Sequence, residues 1–204
     1  LITVGTVQGA PQHLENTYFD TPDLALHSRR IGLRIRNTPT EQLQTVKCAA
    51  ESVAGLSSRP EWETPYAGAF DFNPVDNRKV RAFLKERQSE LVPVFTTSFE
   101  RRTWRIDVSK KIAVWVMVDI GQVSSGDRVL PISEVELELA QGRPKDLLDF
   151  ATALATHLPL VSNDVSKAER GYQLFLNQEA SPYKAPPSLL TTKQTPAEAF
   201  QLLA

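Results

Sequence analysis

The chain has 204 residues, 41% of them hydrophobic, which is enough for one sizeable core and lacks the compositional bias of a disordered segment. Its 23 Lys and Arg against 24 Asp and Glu leave a net charge of -1, so no global basic field exists to gather nucleic acid or an anionic membrane, and any polyanion must be met by a local cluster. A single cysteine, Cys48, excludes an internal disulfide and a cysteine-rich zinc site; with no apolar run of membrane-spanning length and no signal segment, a cytoplasmic location is expected.

Taken in chain order, short strands are expected at 2–7, 13–19, 32–37, 42–49 and 59–65, and longer ones at 93–108, 112–123 and 130–140. Turn chemistry separates them, as in Asn37-Thr38-Pro39, Ala54-Gly55 and Ser125-Gly126-Asp127. Helical spacing replaces alternation at 75–90, through Val80, Phe83 and Leu84, and at 144–158, through Leu147, Leu148, Ala151 and Leu154. A third helix is expected at 166–176, with Ser166 as cap and Glu169 as its capping-box partner. From 178 the Pro-rich run Ser181-Pro182-Tyr183-Lys184-Ala185-Pro186-Pro187 predicts a linker, and Thr195-Pro196-Ala197-Glu198 predicts the start of another helix. The expected division is a domain over 1–177 and, over 178–204, a linker leading into a C-terminal helical region.

Within the strands, alternation places charges on one face repeatedly. Arg34 and Arg36 share a face, as do Thr45 and Lys47, Glu61 and Glu63, then Arg101, Thr103 and Arg105, and later Asp119. Glu134, Glu136 and Glu138 follow as an unbroken ladder separated by Val135 and Leu137. Charged faces usually meet solvent, but here the signs segregate by strand, with Arg and Lys on some and only carboxylates on another. Carboxylates about 7 Å apart repel one another unless a cation sits among them, and oxygen ligands favour Mg²⁺ or Mn²⁺. If the sheet curls into a barrel, the two sets face one lumen and could clamp a multiply charged anion. His13, His27 and His157 have no metal-ligand spacing, and neither Arg29-Arg30 nor Arg101-Arg102 has the interleaved aromatics of a nucleic-acid surface.

The strings NTYFDTPD from Asn16, GLRIR from Gly32, TVK to Lys47, RPEWE from Arg59, FERRTW from Phe99, VDIG from Val118, EVELEL from Glu134 and SKAERGY from Ser166 occur in the order seen in CYTH domains, the triphosphate tunnel metalloenzymes. The chain resembles most closely those inorganic triphosphatases of bacteria in which such a domain precedes a helical CHAD domain. The resemblance implies an α+β fold: a closed antiparallel eight-stranded barrel with helices packed outside, hydrolysing triphosphate to pyrophosphate and phosphate with Mg²⁺ or Mn²⁺. It implies catalytic roles for Glu134, Glu136 and Lys167, and substrate binding by Arg34, Arg36, Lys47, Arg59, Glu61, Arg101, Lys167 and Arg170. Metal ligation falls to Glu134, Glu136, Glu138 and Asp119. The family's N-terminal Glu-x-Glu-x-Lys strand does not precede Leu1 in this sequence, and Trp115 and Thr103 stand where charged residues are common. The same pattern leaves two other readings open: a non-catalytic module binding triphosphate or polyphosphate, and adenylyl cyclase or thiamine triphosphatase activity. No nucleic acid or membrane partner is expected.

Overall fold

The structure is a computed structural model, and it describes residues 5–38, 40–48, 52–53, 56–57 and 60–178. Arg59, the N-terminal half of the expected first strand, and the expected linker and terminal helix beyond 178 lie outside the described residues.

The elements run β1 (Gly5–Gln8), β2 (Gln12–Asp20), α1 (Ala25–Ser28), β3 (Ile31–Asn37), β4 (Gln42–Cys48), a two-residue hairpin β5 (Ser52–Val53) and β6 (Leu56–Ser57), and β7 (Glu61–Pro65). After these come α2 (Arg78–Arg87) with a 3₁₀ turn at Gln88–Glu90, β8 (Val92–Ser109), β9 (Ile112–Ser125), β10 (Arg128–Gln141), α3 (Pro144–Ala155) and α4 (Lys167–Phe175). Local chemistry sets the helix starts. Asn77 accepts from the amides of Lys79 and Val80 to open α2. Pro144 takes the first turn of α3, where Asp146 accepts from the Arg143 amide at 2.8 Å. Ser166 accepts from the Glu169 amide at 3.2 Å to open α4, while the Glu169 carboxylate faces His27 Nε2 at 3.5 Å. The one-turn helix α1 was not expected; it is set by the buried Asp20 carboxylate, which accepts from the amides of Thr21, Leu26 and His27.

One antiparallel sheet carries eight of the strands, in the order β10-β9-β8-β2-β3-β4-β7, with β1 also paired to β8. β1 and β2 lie along the same edge of β8, from Gly5 opposite Asp107 to Gln12 opposite Arg101, and the Gly9 amide donates to Thr103 O at 2.9 Å between them. The pairing ends at β7 on one side and at β10 on the other, and no ladder joins those two among the described residues. The closed barrel expected from the sequence is therefore corrected to an open eight-stranded sheet in an α+β fold. Closure requires the two outer edges to pair at a consistent stagger. The edges are poorly matched for that, because β10 has 14 residues and β7 has 5.

The two faces of the sheet differ in chemistry. Leu33, Ile31 and Val46 are buried with Leu26 of α1, Phe72, Val75, and Phe83 and Leu84 of α2. Further along the same face, Val114 and Val116 meet Phe150 of α3, flanked by Trp104, Ile106, Val135 and Leu137. The opposite face carries the charges. At one end it is sealed by an apolar cluster in which Tyr172 and Leu174 of α4 pack on Leu14, Tyr18, Phe95, Phe99 and Ile132. Fully burying side chains of this size contributes about 1.5–3 kcal/mol each, so this cluster is what fixes α4 across the sheet. No described helix is long and apolar enough to cross a membrane.

Gly121 is required by close approach. A Cβ there would stand 2.2 Å from Ser98 O and 2.4 Å from Phe99 Cα, both backbone atoms of β8 that cannot yield alone. Gly121→Ala should lower stability in urea unfolding by about 1–3 kcal/mol or more, whereas Gly32→Ala, whose nearest neighbour is Lys47 O at 3.9 Å, should change it little. Equal stability of the two variants would show that β8 and β9 are not pinned at this contact.

Candidate active site

Strand register brings the predicted charges onto one face. Arg34 lies opposite Thr45, Thr45 opposite Glu63, and Lys47 opposite Glu61, which aligns β3, β4 and β7. Arg36 lies opposite Asn16, and Arg101 opposite Asp119, which in turn faces Glu134; Glu136 lies opposite Met117. The alternation of seven strands thus agrees on one shared surface, and Thr103 and Trp115 occupy it as the sequence predicts.

On this face the side chains form two groups. The first is basic, with acidic residues at its edge. Arg34 is 3.8 Å from Glu61, Lys47 is 3.0 Å from the same carboxylate, and Thr45 donates to Glu63 at 2.9 Å. Arg36 Nε donates to Asn16 Oδ1 at 3.0 Å, and Asn16 Nδ2 donates to Thr97 at 2.9 Å. Burial, together with the neighbouring Arg34, lowers the Arg36 pKa from its ordinary value. Arg34 Nε is buried with no hydrogen-bond partner among the described residues. An unsatisfied buried donor carries a desolvation cost that an anionic acceptor would remove.

The second group is an interlocked set of three carboxylates and three cations. Asp119, fully buried, Glu134 and Glu136 each offer an oxygen within 4.8 Å of the others. Arg101 forks Asp119 with Nε at 2.8 Å and Nη2 at 2.7 Å, and the same Nη2 reaches Glu136 at 2.5 Å. Lys167 Nζ touches all three carboxylates: Asp119 at 2.6 Å, Glu136 at 2.9 Å, and Glu134. Arg170 pairs with Glu134 from one helical turn further along α4. The Phe99 ring lies 5.0 Å from Lys167 Nζ and 5.6 Å from the Arg101 guanidinium.

The electrostatics follow from this geometry. Burial alone would lower the pKa of Lys167, but Glu136 and Asp119 outweigh it and hold it above the ordinary value. Burial likewise acts against the Arg101 charge and is outweighed by Asp119 and Glu136. For Glu136 burial pushes upward, and Lys167 and Arg101 overcome it, bringing the carboxyl down to about 2 from 4.5.

The amino-acid pattern of the CYTH domain matches residues 3–172. This chain is a member of the CYTH domain family. A curated relative, an inorganic triphosphatase of Haemophilus influenzae, is 36% identical over 165 residues, covering 81% of this chain and 47% of its own length. The chain thus spans about half the length of that relative. Among solved structures, a Hippeastrum protein named for adenylyl cyclase and described as having a dominant triphosphatase activity superposes with a TM-score of 0.54 at 14% identity, covering 84% of this chain and 85% of its own. A Bacillus halodurans protein named for adenylate cyclase gives a TM-score of 0.52 at 16% identity, covering 78% and 82%. These two likenesses concern the fold.

Against this CYTH frame, Asp119, Glu134, Glu136, Arg101, Lys167 and Arg170 come together, and Arg34, Arg36, Lys47 and Glu61 form the neighbouring group. Glu138 keeps the same face, opposite Trp115, but is exposed and stands outside the carboxylate trio. Sequence reasoning passed over Asn16, Thr97 and Phe99. Asn16 and Phe99 nevertheless open two of the strings that carry the family resemblance. Asp20 and Tyr172 were also passed over: they are joined by a buried 2.8 Å hydrogen bond that ties α4 to the end of β2.

The depressed Glu136 carboxyl makes an acid-limb prediction. The folded protein holds this proton less tightly than the unfolded chain, so the stability it contributes is present above about pH 4.5 and is lost as pH falls toward 2. The side chain is 39% exposed, and solvent screening keeps the effect modest. In metal-free buffer the urea midpoint of the wild type should fall more steeply through that window than that of Glu136→Gln; superimposable acid limbs would remove the ion pairing from the stability account.

Proposed function

We propose that this chain carries the catalytic face of an inorganic triphosphatase, hydrolysing tripolyphosphate to pyrophosphate and phosphate with Mg²⁺ or Mn²⁺. The observation that carries this reading is the meeting, on one sheet face, of the basic Arg34, Arg36 and Lys47 group with an all-oxygen carboxylate trio. The named activity of the 36% identical relative supports it.

Asp119, Glu134 and Glu136 fit a hard divalent cation by donor chemistry, because all three offer carboxylate oxygen within 4.8 Å. Such an ion, when bound, supplies Lewis-acid polarisation and charge neutralisation at a phosphoryl oxygen. The chain's own residues do the rest. Arg34 and Arg36 present guanidinium forks suited to phosphate oxygens, and Lys47 adds a point charge at the edge of the group. Arg34 Nε, buried and unpaired among the described residues, gains an acceptor when an anion binds. Asn16 keeps Arg36 at a fixed angle through its own bond to Thr97. Phosphoryl transfer asks a protein chiefly for such positioning and charge stabilisation. A cytoplasmic setting belongs to the same proposal, supported by the single cysteine.

Incubation of the full chain with tripolyphosphate and Mg²⁺ should release phosphate, and Arg36→Met or Glu134→Gln should each cut kcat/KM by about a hundredfold. Hydrolysis that persists in EDTA, or undiminished in Glu134→Gln, would reject the metal assignment. Faster turnover of ATP or thiamine triphosphate than of tripolyphosphate would reject the substrate assignment.

A further inference from the structure

We infer that Lys167 is a built-in counter-ion that occupies the carboxylate cradle in the metal-free protein and gives it up when a divalent cation enters. This rests on reading Asp119, Glu134 and Glu136 as the metal cradle.

The contacts divide the oxygens between two kinds of cation. Glu134 gives one oxygen to Arg170 and the other to Lys167; Glu136 gives one to Arg101 and the other to Lys167. Asp119 is forked by Arg101 and shares its Oδ2 with Lys167. The two arginines therefore hold the outer oxygens, while the ammonium collects one oxygen from each carboxylate at a single centre. Oxygens within 4.8 Å of one another leave room for one cation among them. The ammonium and a divalent ion that uses the same three oxygens exclude each other.

The chemistry of Lys167 suits such exchange better than that of its neighbours. Its head is a compact charge on a flexible four-carbon stem, whereas the planar guanidinium of Arg101 is fixed on Asp119 by paired bonds and that of Arg170 reaches Glu134 alone among the three carboxylates. Lys167 is also the first residue of α4, where a cation faces the positive end of the helix dipole. It is held there against that field by the carboxylates and loses its compensation when they turn to another cation. The freed ammonium then adds a donor for phosphate beside Arg101. Without any cation at the centre, three carboxylates packed this closely would repel, so the tethered ion keeps the cradle assembled between metal-binding events.

The test is Mn²⁺ binding to the full chain by calorimetry and by loss of the free-ion EPR signal. Because a self-occupied site binds with an affinity reduced by the fraction left open, Lys167→Met should bind Mn²⁺ about tenfold tighter or more than wild type, while the charge control Arg36→Met stays within about twofold of it. Unchanged or weaker binding by a folded Lys167→Met, or an equal gain in Arg36→Met, would overturn the inference and leave the metal cradle standing. Absence of Mn²⁺ binding by wild type and variant alike would overturn both. A second readout uses the unmodified protein: reductive methylation of Lys167, followed by mass spectrometry, should accelerate on adding Mg²⁺. A rate that is unchanged or slower with Mg²⁺ would also overturn displacement.

Discussion

The arrangement depends on one balance of charge: the carboxylates of Asp119, Glu134 and Glu136 set against Arg101, Lys167 and Arg170. Taking carboxylates out of water is costly, and it is tolerated here because each has more than one charge-assisted partner with good geometry. The cost is met by two different parts of the fold. Arg101 comes from β8 within the sheet, but Lys167 and Arg170 come from α4, which stays in place through Tyr172 and Leu174 packing on Phe95, Phe99 and Tyr18. An apolar cluster at one end of a charged face is therefore the mechanical support of the ionic cluster beside it. Gly171, at which a Cβ would fall 2.1 Å from the Phe95 ring, shows how tightly that support is packed.

Two sets of positive groups then serve different ends. Arg101 and Lys167 are committed to carboxylates and Arg170 pairs with Glu134, whereas Arg36 is held by a neutral amide and Arg34 meets Glu61 only at 3.8 Å; Arg34 and Arg170 each keep a buried Nε unpaired among the described residues. Cations already matched to carboxylates offer little to an incoming anion; those held by neutral partners offer more. The functional surface is thus graded from a fully compensated end near α4 to a less compensated one on β3, where the single Glu61 carboxylate faces both Arg34 and Lys47, and Arg36 feels the charge of Arg101 across β2.

How much of this was legible in the sequence varies with the range of the interaction. Alternation in GLRIR, FERRTW and EVELEL sets side-chain direction residue by residue, and the register bears out the shared face across β3, β4, β7, β8, β9 and β10. Helix starts at Pro144 and Ser166 were readable because caps are local. Closure of the sheet was not, since it depends on the relative lengths and stagger of β7 and β10, which lie far apart in the chain. The triple contact of Lys167 was hidden for a similar reason. Helical spacing says that α4 has an apolar side, but not which face of the sheet that side will cover. The Glu134, Glu136, Glu138 ladder does not reveal that its third member stays exposed; Asp119, which the family resemblance placed with the ladder, completes the trio from the adjacent strand.

The bond between Tyr172 and Asp20 spans 152 residues, nearly the whole described chain. During synthesis the sheet strands emerge before α4, so the carboxylates of β9 and β10 are laid side by side before their partners on α4 exist. Long-range pairing of this kind pays its loop-closure entropy before it is rewarded, which slows folding. Until α4 arrives, Arg101 of β8 is the one cation of the cluster set against the three carboxylates, and the excess negative charge on the nascent sheet is left for cations of the surrounding medium to shield.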